Sequence, residues 1–216
     1  MLKTDLSAFR AIALVVLLCA TNQSATLAQL SSNCFGSGNG GFSIRIDTIA
    51  ENIGSLIGPS VDTNLIGFNT YRLFLVCESP QDLLQAVSGD SEFPGSITTT
   101  TSFFQDSTLG AATPPNPLLF SGFPTLEYDS YVTIGLDGIA NASLGQQDAQ
   151  LLEDSDVFPI SIGFEEEGDL IMNSFTGSSW FIANAEITTN CAAGPDSAVL
   201  FAQLTTDGEI DGLLQF

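Results

Sequence analysis

The sequence predicts an all-β fold, an antiparallel β-sandwich of jelly-roll or immunoglobulin-like size, with a β-barrel as the alternative and little helix. Several short runs alternate apolar and polar residues, no stretch keeps a helical period, and turn residues separate the runs. The 216 residues are 44% hydrophobic and include 16 phenylalanines, which is enough for one well-filled domain despite the acidic charge.

The N-terminus has the pattern of a secretory signal peptide. Lys3 and Arg10 precede an apolar run of ten residues, and small residues lead up to Ala28. Ten apolar residues are too few to cross a bilayer, which needs about 20. We therefore expect residues 1–28 to be removed, with cleavage after Ala25 as the alternative, and the mature protein to be secreted and extracellular.

The mature chain divides into a short arm and one domain. Residues 29–41 are mostly Ser, Gly and Asn, so we expect a Gly/Ser-rich N-terminal arm, whereas residues 42–216 are expected to form a single β-sandwich domain. The clearest strand lies at residues 70–78, where polar and apolar side chains alternate. Similar runs predict strands at residues 42–49, 131–136, 157–164, 179–187 and 198–205.

Two long segments interrupt the strands. Residues 106–125 contain four prolines, which cannot donate to a strand ladder, so we expect a long connection there. Residues 137–156 are polar and are expected to hold one helical turn around residues 147–152. Asp-Gly pairs at 137–138 and 207–208 predict tight hairpins, because such turns need positive φ.

The mature chain is almost free of basic residues. The full chain has 4 basic and 25 acidic residues and no histidine, and the signal segment takes two basic residues and one acidic residue with it. Only Arg45 and Arg72 then remain against 24 carboxylates. Nucleic acids and anionic membranes need basic side chains, so both are excluded as partners. Catalytic triads with histidine, histidine-ligated zinc and Schiff bases are excluded as well.

Carboxylate chemistry remains open, because two acids about 5 to 9 Å apart suffice for glycoside hydrolysis. The acidic cluster at residues 165–169 and the group Glu153, Asp154 and Asp156 could each contribute one acid. Such clusters are more often solvated turns. A glycosidase is therefore a lower-ranked alternative, and no enzymatic activity is the main expectation.

Calcium is the one cofactor that the sequence suggests. Asp207, Glu209 and Asp211, followed by Gly212, match the first half of an EF-hand loop, but the twelfth position would fall beyond residue 216. The competing interpretation is a hairpin whose alternate residues face solvent. We expect weak association of calcium with the acidic surface more than a specific site.

The candidate ligand contacts are aromatic. Phe120 and Phe123 lie inside the proline-rich connection, where an exposed apolar patch would mark an interface, and Tyr128 follows it closely. Tyr131 could also stack on a sugar. Trp180 stands in a strand-like run, so we expect it in the core.

Cysteine and asparagine residues suggest two covalent features. Cys34, Cys77 and Cys191 remain in the mature chain, and export favours one disulfide; Cys34 with Cys191 is the favoured pair of three possible pairings, with Cys77 buried. Asn141 begins an N-x-S sequon and is a candidate glycosylation site in a host that glycosylates.

Together these patterns predict a secreted, acidic structural, adhesive or surface-binding β domain without catalytic activity. A calcium-dependent carbohydrate-binding module is the first alternative and a carboxylate-based glycoside hydrolase the second. The expected partner is an extracellular protein or glycan surface. Self-association is expected only in high salt or with divalent ions, because the acidic chain repels its own copies.

Overall fold

The protein is mostly β-structure in the computed structural model, which describes residues 41–54, 65–154 and 160–216. These segments contain ten strands in three antiparallel sheets, one short α-helix, two further helical residues at Ile53 and Gly54, and several 3-10 turns, an all-β, sandwich-like fold as predicted. The predicted signal peptide and nearly all of the predicted arm lie outside the described residues. The elements are β1 Ser43–Ala50, β2 Asn69–Val76, β3 Ala86–Gly89, β4 Gly95–Thr99, β5 Tyr131–Val132, β6 Gln150–Leu152, α1 Ile160–Glu165, β7 Leu170–Met172, β8 Ser178–Phe181, β9 Ala198–Thr206 and β10 Ile210–Leu213.

The largest sheet has the order β1-β2-β9-β5. The alternation predicted for β2 is confirmed, because Leu73 and Leu75 are buried on one face and Arg72 and Phe74 stand on the other. Strand β9 lies between β2 and β5, and eight of its nine residues are buried. This sheet supplies the frame of the functional surface described below.

Two three-stranded sheets, β10-β4-β7 and β3-β8-β6, complete the fold. One large cluster of buried residues includes side chains from all three sheets, among them Leu73, Ile97 and Trp180. Trp180 is fully buried, as expected, and its indole N–H donates to the carbonyl of Thr133 at 3.1 Å. A smaller cluster contains Ile53, Leu65 and Phe104.

Two local predictions are wrong. Of the strand expected at residues 157–164, the described part belongs to α1, where the Glu153 carboxylate accepts the Ser161 backbone N–H at 2.7 Å and so satisfies a donor in the first turn. The helical turn expected at residues 147–152 is instead strand β6, since pairing with β8 supplies its backbone partners. Apolar spacing over so few residues does not separate these states.

Two other expected strands are shorter than predicted. Only Tyr131–Val132 of residues 131–136 is strand, and residues 179–187 divide into β8 and a 3-10 turn at Ala185–Ile187. The strands expected at residues 42–49, 70–78 and 198–205 are confirmed as β1, β2 and β9, with ends shifted by one or two residues.

Neither Asp-Gly pair forms the expected hairpin. The pair at 207–208 carries the chain from β9 into β10, and these strands belong to different sheets. At this point the Glu209 carbonyl accepts the Thr100 backbone N–H, and the Glu209 N–H donates to the Thr100 hydroxyl. No strand directly follows the pair at 137–138. No helix in the described segments is long and apolar enough to span a membrane.

Candidate functional site

An uncharged apolar turn projects from the long connection at residues 106–125. The chain carries no charged residue between Asp106 and Glu127, although it is strongly acidic elsewhere. Residues 117–124, here called the apolar turn, place Leu118 at 84% and Phe123 at 39% exposure. An exposed apolar patch of this kind is typical of an interaction surface.

Local hydrogen bonds define the shape of the apolar turn. The Asn116 side chain accepts the backbone N–H of Leu118 at 3.0 Å, and Pro117 occupies the first helical position, where its missing N–H costs nothing. A second 3-10 turn begins at Pro124 and ends at Tyr128. The turn is therefore held by caps and prolines, without any paired strand.

Two buried aspartates tie the base of this connection together. Asp129 accepts the backbone N–H of Asp106 at 2.7 Å and that of Ala111 at 3.0 Å. Asp106 in turn accepts the Thr125 hydroxyl at 2.5 Å. Burial raises the pKa of Asp129 to about 7, against the lowering effect of its two backbone donors; Asp106 and Glu165 nearby raise it further.

Gln203 on β9 joins the base of the connection to the sheet. Its amide nitrogen donates to the carbonyls of Glu127 and Asp129 at 3.1 and 3.0 Å, and its amide oxygen accepts Arg72 Nε at 3.0 Å and the Tyr131 hydroxyl at 3.2 Å. Gln203 is buried, so these bonds replace water at all its polar positions. The base of the connection and Arg72 are thus held by one side chain.

Arg72 lines a cavity of about 310 Å³ on the outer face of the main sheet. One of its terminal nitrogens donates to the Asp137 carboxylate at 3.0 Å, with 26% of the arginine and 64% of the aspartate side chain exposed. The residues lining the cavity are Arg72, Phe74, Gly135, Asp137, Asn190, Ala192, Ala198, Val199 and Leu200. The cavity therefore has a charged rim, and most of the surface that it exposes is polar, with a smaller apolar part.

Both arginines of the described residues stand on this face of the sheet. Arg45 on β1 is opposite Phe74, and Asp47 is opposite Arg72, so the four side chains share a face. Arg45 pairs with Asp47 at 3.2 Å and lies 4.4 Å above the Phe74 ring. Each arginine thus has its own aspartate partner.

The cavity and the apolar turn adjoin each other. A side chain placed on Gly138, next to Asp137, would come within 2.8 Å of Pro117 Cγ, so the two segments are in close contact. We refer to the apolar turn together with the Arg72 cavity as the binding surface.

The predicted aromatic contacts divide between this surface and the interior. Phe123 is exposed, while Phe120 is half-buried. Tyr128 is also half-buried, packs against the smaller core cluster, and has a raised pKa because of burial. Tyr131 is buried and cannot offer a ring face to a ligand.

No local pattern marks Arg72, Asp137 or Gln203 as a site. One signal was present, since Arg72 is one of four basic residues in the chain and stands on the polar face of the clearest strand. Its partners come from 65 and 131 residues further along the chain, and only the fold brings them together.

The calcium candidates Asp207, Glu209 and Asp211 are all exposed, in the turn before β10 and on β10 itself. Among the described residues, no three acidic or cysteine side chains are placed to hold a metal ion together. The structure therefore offers no preformed site there, and calcium association stays a prediction about the acidic surface.

The carboxylates considered for hydrolysis have structural contacts or are open to solvent. Glu153 accepts both the backbone N–H and the hydroxyl of Ser161, and Asp154 accepts the Thr176 hydroxyl. The acids at residues 165–167 and 169 are exposed around the end of α1. Asp156 lies outside the described residues.

The cysteines and the sequon have simple environments. Cys191 and Cys77 are buried free thiols, and Cys34 lies outside the described residues, so the predicted pair of Cys34 with Cys191 is not supported. Burial raises the pKa of Cys191 to about 11. Asn141 is exposed, and its side chain accepts the backbone N–H of Ser143 at 3.0 Å; its glycosylation stays a prediction.

No family model matches the chain, and neither the curated proteins nor the solved structures compared with it give a match.

Proposed function

We propose that this protein is a secreted, acidic, non-catalytic domain that binds or adheres to an extracellular protein or glycan surface. The observation that carries the proposal is the apolar turn. Leu118 and Phe123 stand exposed in the middle of a 20-residue uncharged stretch, between Asp106 and Glu127, in a chain of net charge −21. The apolar turn is thus the part of the connection best suited to lose water on contact.

The fixed conformation of the apolar turn supports a role in binding. The Asn116 cap, the prolines and the Asp106–Asp129 bond hold the exposed side chains in one arrangement. A partner would therefore lose little affinity to ordering of this segment. Four bonds to Gln203 extend the support into the main sheet.

The surrounding charge favours selective contact. A strongly acidic exterior limits self-association at low salt and repels nucleic acid and anionic membranes, while a small apolar area remains able to dock. Absence of histidine and lysine from the mature chain supports a non-catalytic role, since the usual bases and nucleophile activators are missing from its sequence.

Arrays of extracellular matrix proteins and of glycans test the proposal. The mature protein should bind a defined subset of spots, and Leu118→Ser and Phe123→Ser should each weaken that binding by about tenfold, because each removes apolar contact area. Phe175→Ser is the matched control, since Phe175 is 91% exposed in another loop and its loss should leave binding unchanged.

Two results would contradict the proposal. Equal weakening by all three substitutions would show that the apolar turn has no special role. Turnover of a panel of glycosides, abolished by one Asp or Glu substitution, would establish the hydrolase alternative instead.

A further inference from the structure

We propose that the Arg72 cavity binds one neutral sugar ring, either a free monosaccharide or the terminal residue of a glycan. The inference deepens the proposed function by naming a ligand class for the cavity, and rests on that function only in using the same binding surface. The observation behind it is the placement of a guanidinium and a carboxylate side by side at the rim of a small, mostly polar cavity that also has apolar side chains in its lining.

The polar rim offers both kinds of hydrogen-bonding group that sugar hydroxyls need. Arg72 has five N–H donors, and Gln203 and Asp137 each take one of them. Asp137 accepts Arg72 through one carboxylate oxygen, and its side chain is 64% exposed. A hydroxyl group can both donate and accept, so neighbouring hydroxyls of one ring fit a carboxylate next to a guanidinium.

The charge balance favours a neutral ligand. Arg72 and Asp137 neutralise each other within the cavity, and the chain as a whole has a net charge of −21. An acidic sugar would approach against that charge and compete with Asp137 for Arg72. A neutral polyol meets neither penalty.

The walls and the size suit a single ring. Phe74, Ala198 and Leu200 are among the lining residues of the cavity and contribute to its smaller apolar part, against which the C–H face of a sugar can pack. The volume of about 310 Å³ is at the small end of ligand pockets, which span roughly 300–1,000 Å³, and so favours one ring over a longer chain.

The frame of the cavity is fixed before any ligand arrives. Arg72 Nε is held by buried Gln203, and the Arg45 guanidinium lies over the Phe74 ring. On the opposite side, the Asn190 side-chain amide donates to the carbonyls of Ile134 and Gln147. A preorganised frame of this kind lowers the ordering cost of a small ligand.

The test is a titration of the mature protein with free sugars, followed by saturation-transfer NMR and calorimetry. The neutral probes are glucose, galactose, mannose and fucose, and the charged counterpart is glucuronic acid. At least one neutral sugar should saturate in the millimolar range and bind at least about tenfold more tightly than glucuronic acid. A glycan array then distinguishes a free sugar from a chain end that carries the same ring.

Asp137→Asn is the decisive variant. It keeps the size of the side chain but removes the charge, so binding of the neutral sugar should weaken by about tenfold, and the preference for glucuronic acid should rise because Arg72 is no longer neutralised. Asp207→Asn is the control of equal charge change, since Asp207 is exposed in the turn before β10 and does not line the cavity. The affinity of this control variant for the neutral sugar should stay within about twofold of the parent's affinity.

A second variant, Ala198→Leu, fills the cavity without touching the ion pair and should abolish sugar binding. Absence of saturation, tighter binding of a charged probe, or equal weakening by the two asparagine variants would each overturn the inference. Array binding that depends on Leu118 but is indifferent to Asp137→Asn would leave the proposed function standing and refute the sugar site.

Discussion

The carboxylate of Asp129 accepts the backbone N–H of Asp106 at 2.7 Å, joining the two ends of the connection that carries the apolar turn. Asp129 has no exposed surface, and no ion pair to an arginine is found for it among the described residues. The connection therefore depends on a buried acid whose protonation is sensitive to pH in the neutral range.

The first prediction concerns pH. Because burial raises the pKa of Asp129 from 3.8 to about 7, the folded protein holds this proton more tightly than the unfolded chain does. The free energy of unfolding should thus fall as pH rises from about 4 to about 7, by about 4 kcal/mol at most from this group. Urea unfolding at pH 4.5 and pH 7.5 in 1 M salt measures the change, since the salt screens general repulsion.

Asp129→Asn should be less stable than the parent at low pH, because its amide N–H₂ opposes a backbone donor, and should have a flatter pH dependence. Asp47→Asn removes one exposed carboxylate and is the control, expected to keep the parent's slope. Identical slopes for all three proteins would refute a role for Asp129.

The second prediction concerns Gly135, which lines the cavity with φ of +70°. A Cβ at this position would lie 1.8 Å from the carbonyl oxygen of Asn190. Gly135→Ala should therefore destabilise the protein by at least about 2 kcal/mol, from backbone strain and the clash together. Gly67 has φ of +91° and open space around it, so Gly67→Ala introduces backbone strain without a clash. This substitution should lower the free energy of unfolding by less than Gly135→Ala does. Equal losses in chemical denaturation would show that the clash is relieved at no cost.

The third prediction concerns the thiols. Burial raises the pKa of Cys191 to about 11 and also raises that of Cys77, so neither should react appreciably with a thiol reagent at pH 8 in the folded protein. In denaturant without reductant both thiols should react, and Cys77→Ser should lower the number of reactive thiols by one. A single reactive thiol in the denatured mature protein that disappears in Cys77→Ser would instead establish the pairing of Cys34 with Cys191.

The fourth prediction concerns divalent ions. Because Asp207, Glu209 and Asp211 are exposed and form no preformed metal site, calcium and magnesium at equal ionic strength should raise the melting temperature equally, by screening alone. A larger shift with calcium that is lost in Asp211→Asn would show specific ligation at this turn.

Local sequence patterns predicted those parts of the fold that local physics decides. The alternation of β2, the burial of Trp180 and the proline-rich connection were all readable from neighbouring residues. The pairing of the strands could not be predicted from neighbouring residues. Asp207-Gly208 has the residues of a hairpin turn, and yet it leads into another sheet. Hydrogen bonds to Thr100 direct the chain there, and no local rule foresees them.

Of the two parts of the binding surface, only the apolar turn was predicted from the sequence. An exposed Phe123 follows from apolar residues in a proline-rich loop, whereas the Arg72 cavity needs Asp137 and Gln203 from distant parts of the chain. The scarcity of basic residues could have directed attention to Arg72. It does not indicate which carboxylate pairs with this arginine.

The most direct test of the central claim is an NMR map of the isotope-labelled mature protein, titrated with the partner selected on the arrays. The account predicts shift changes concentrated in residues 118–123 and 135–138, with no conversion of the partner. Changes confined to residues 207–211, or the release of a hydrolysed product, would contradict it.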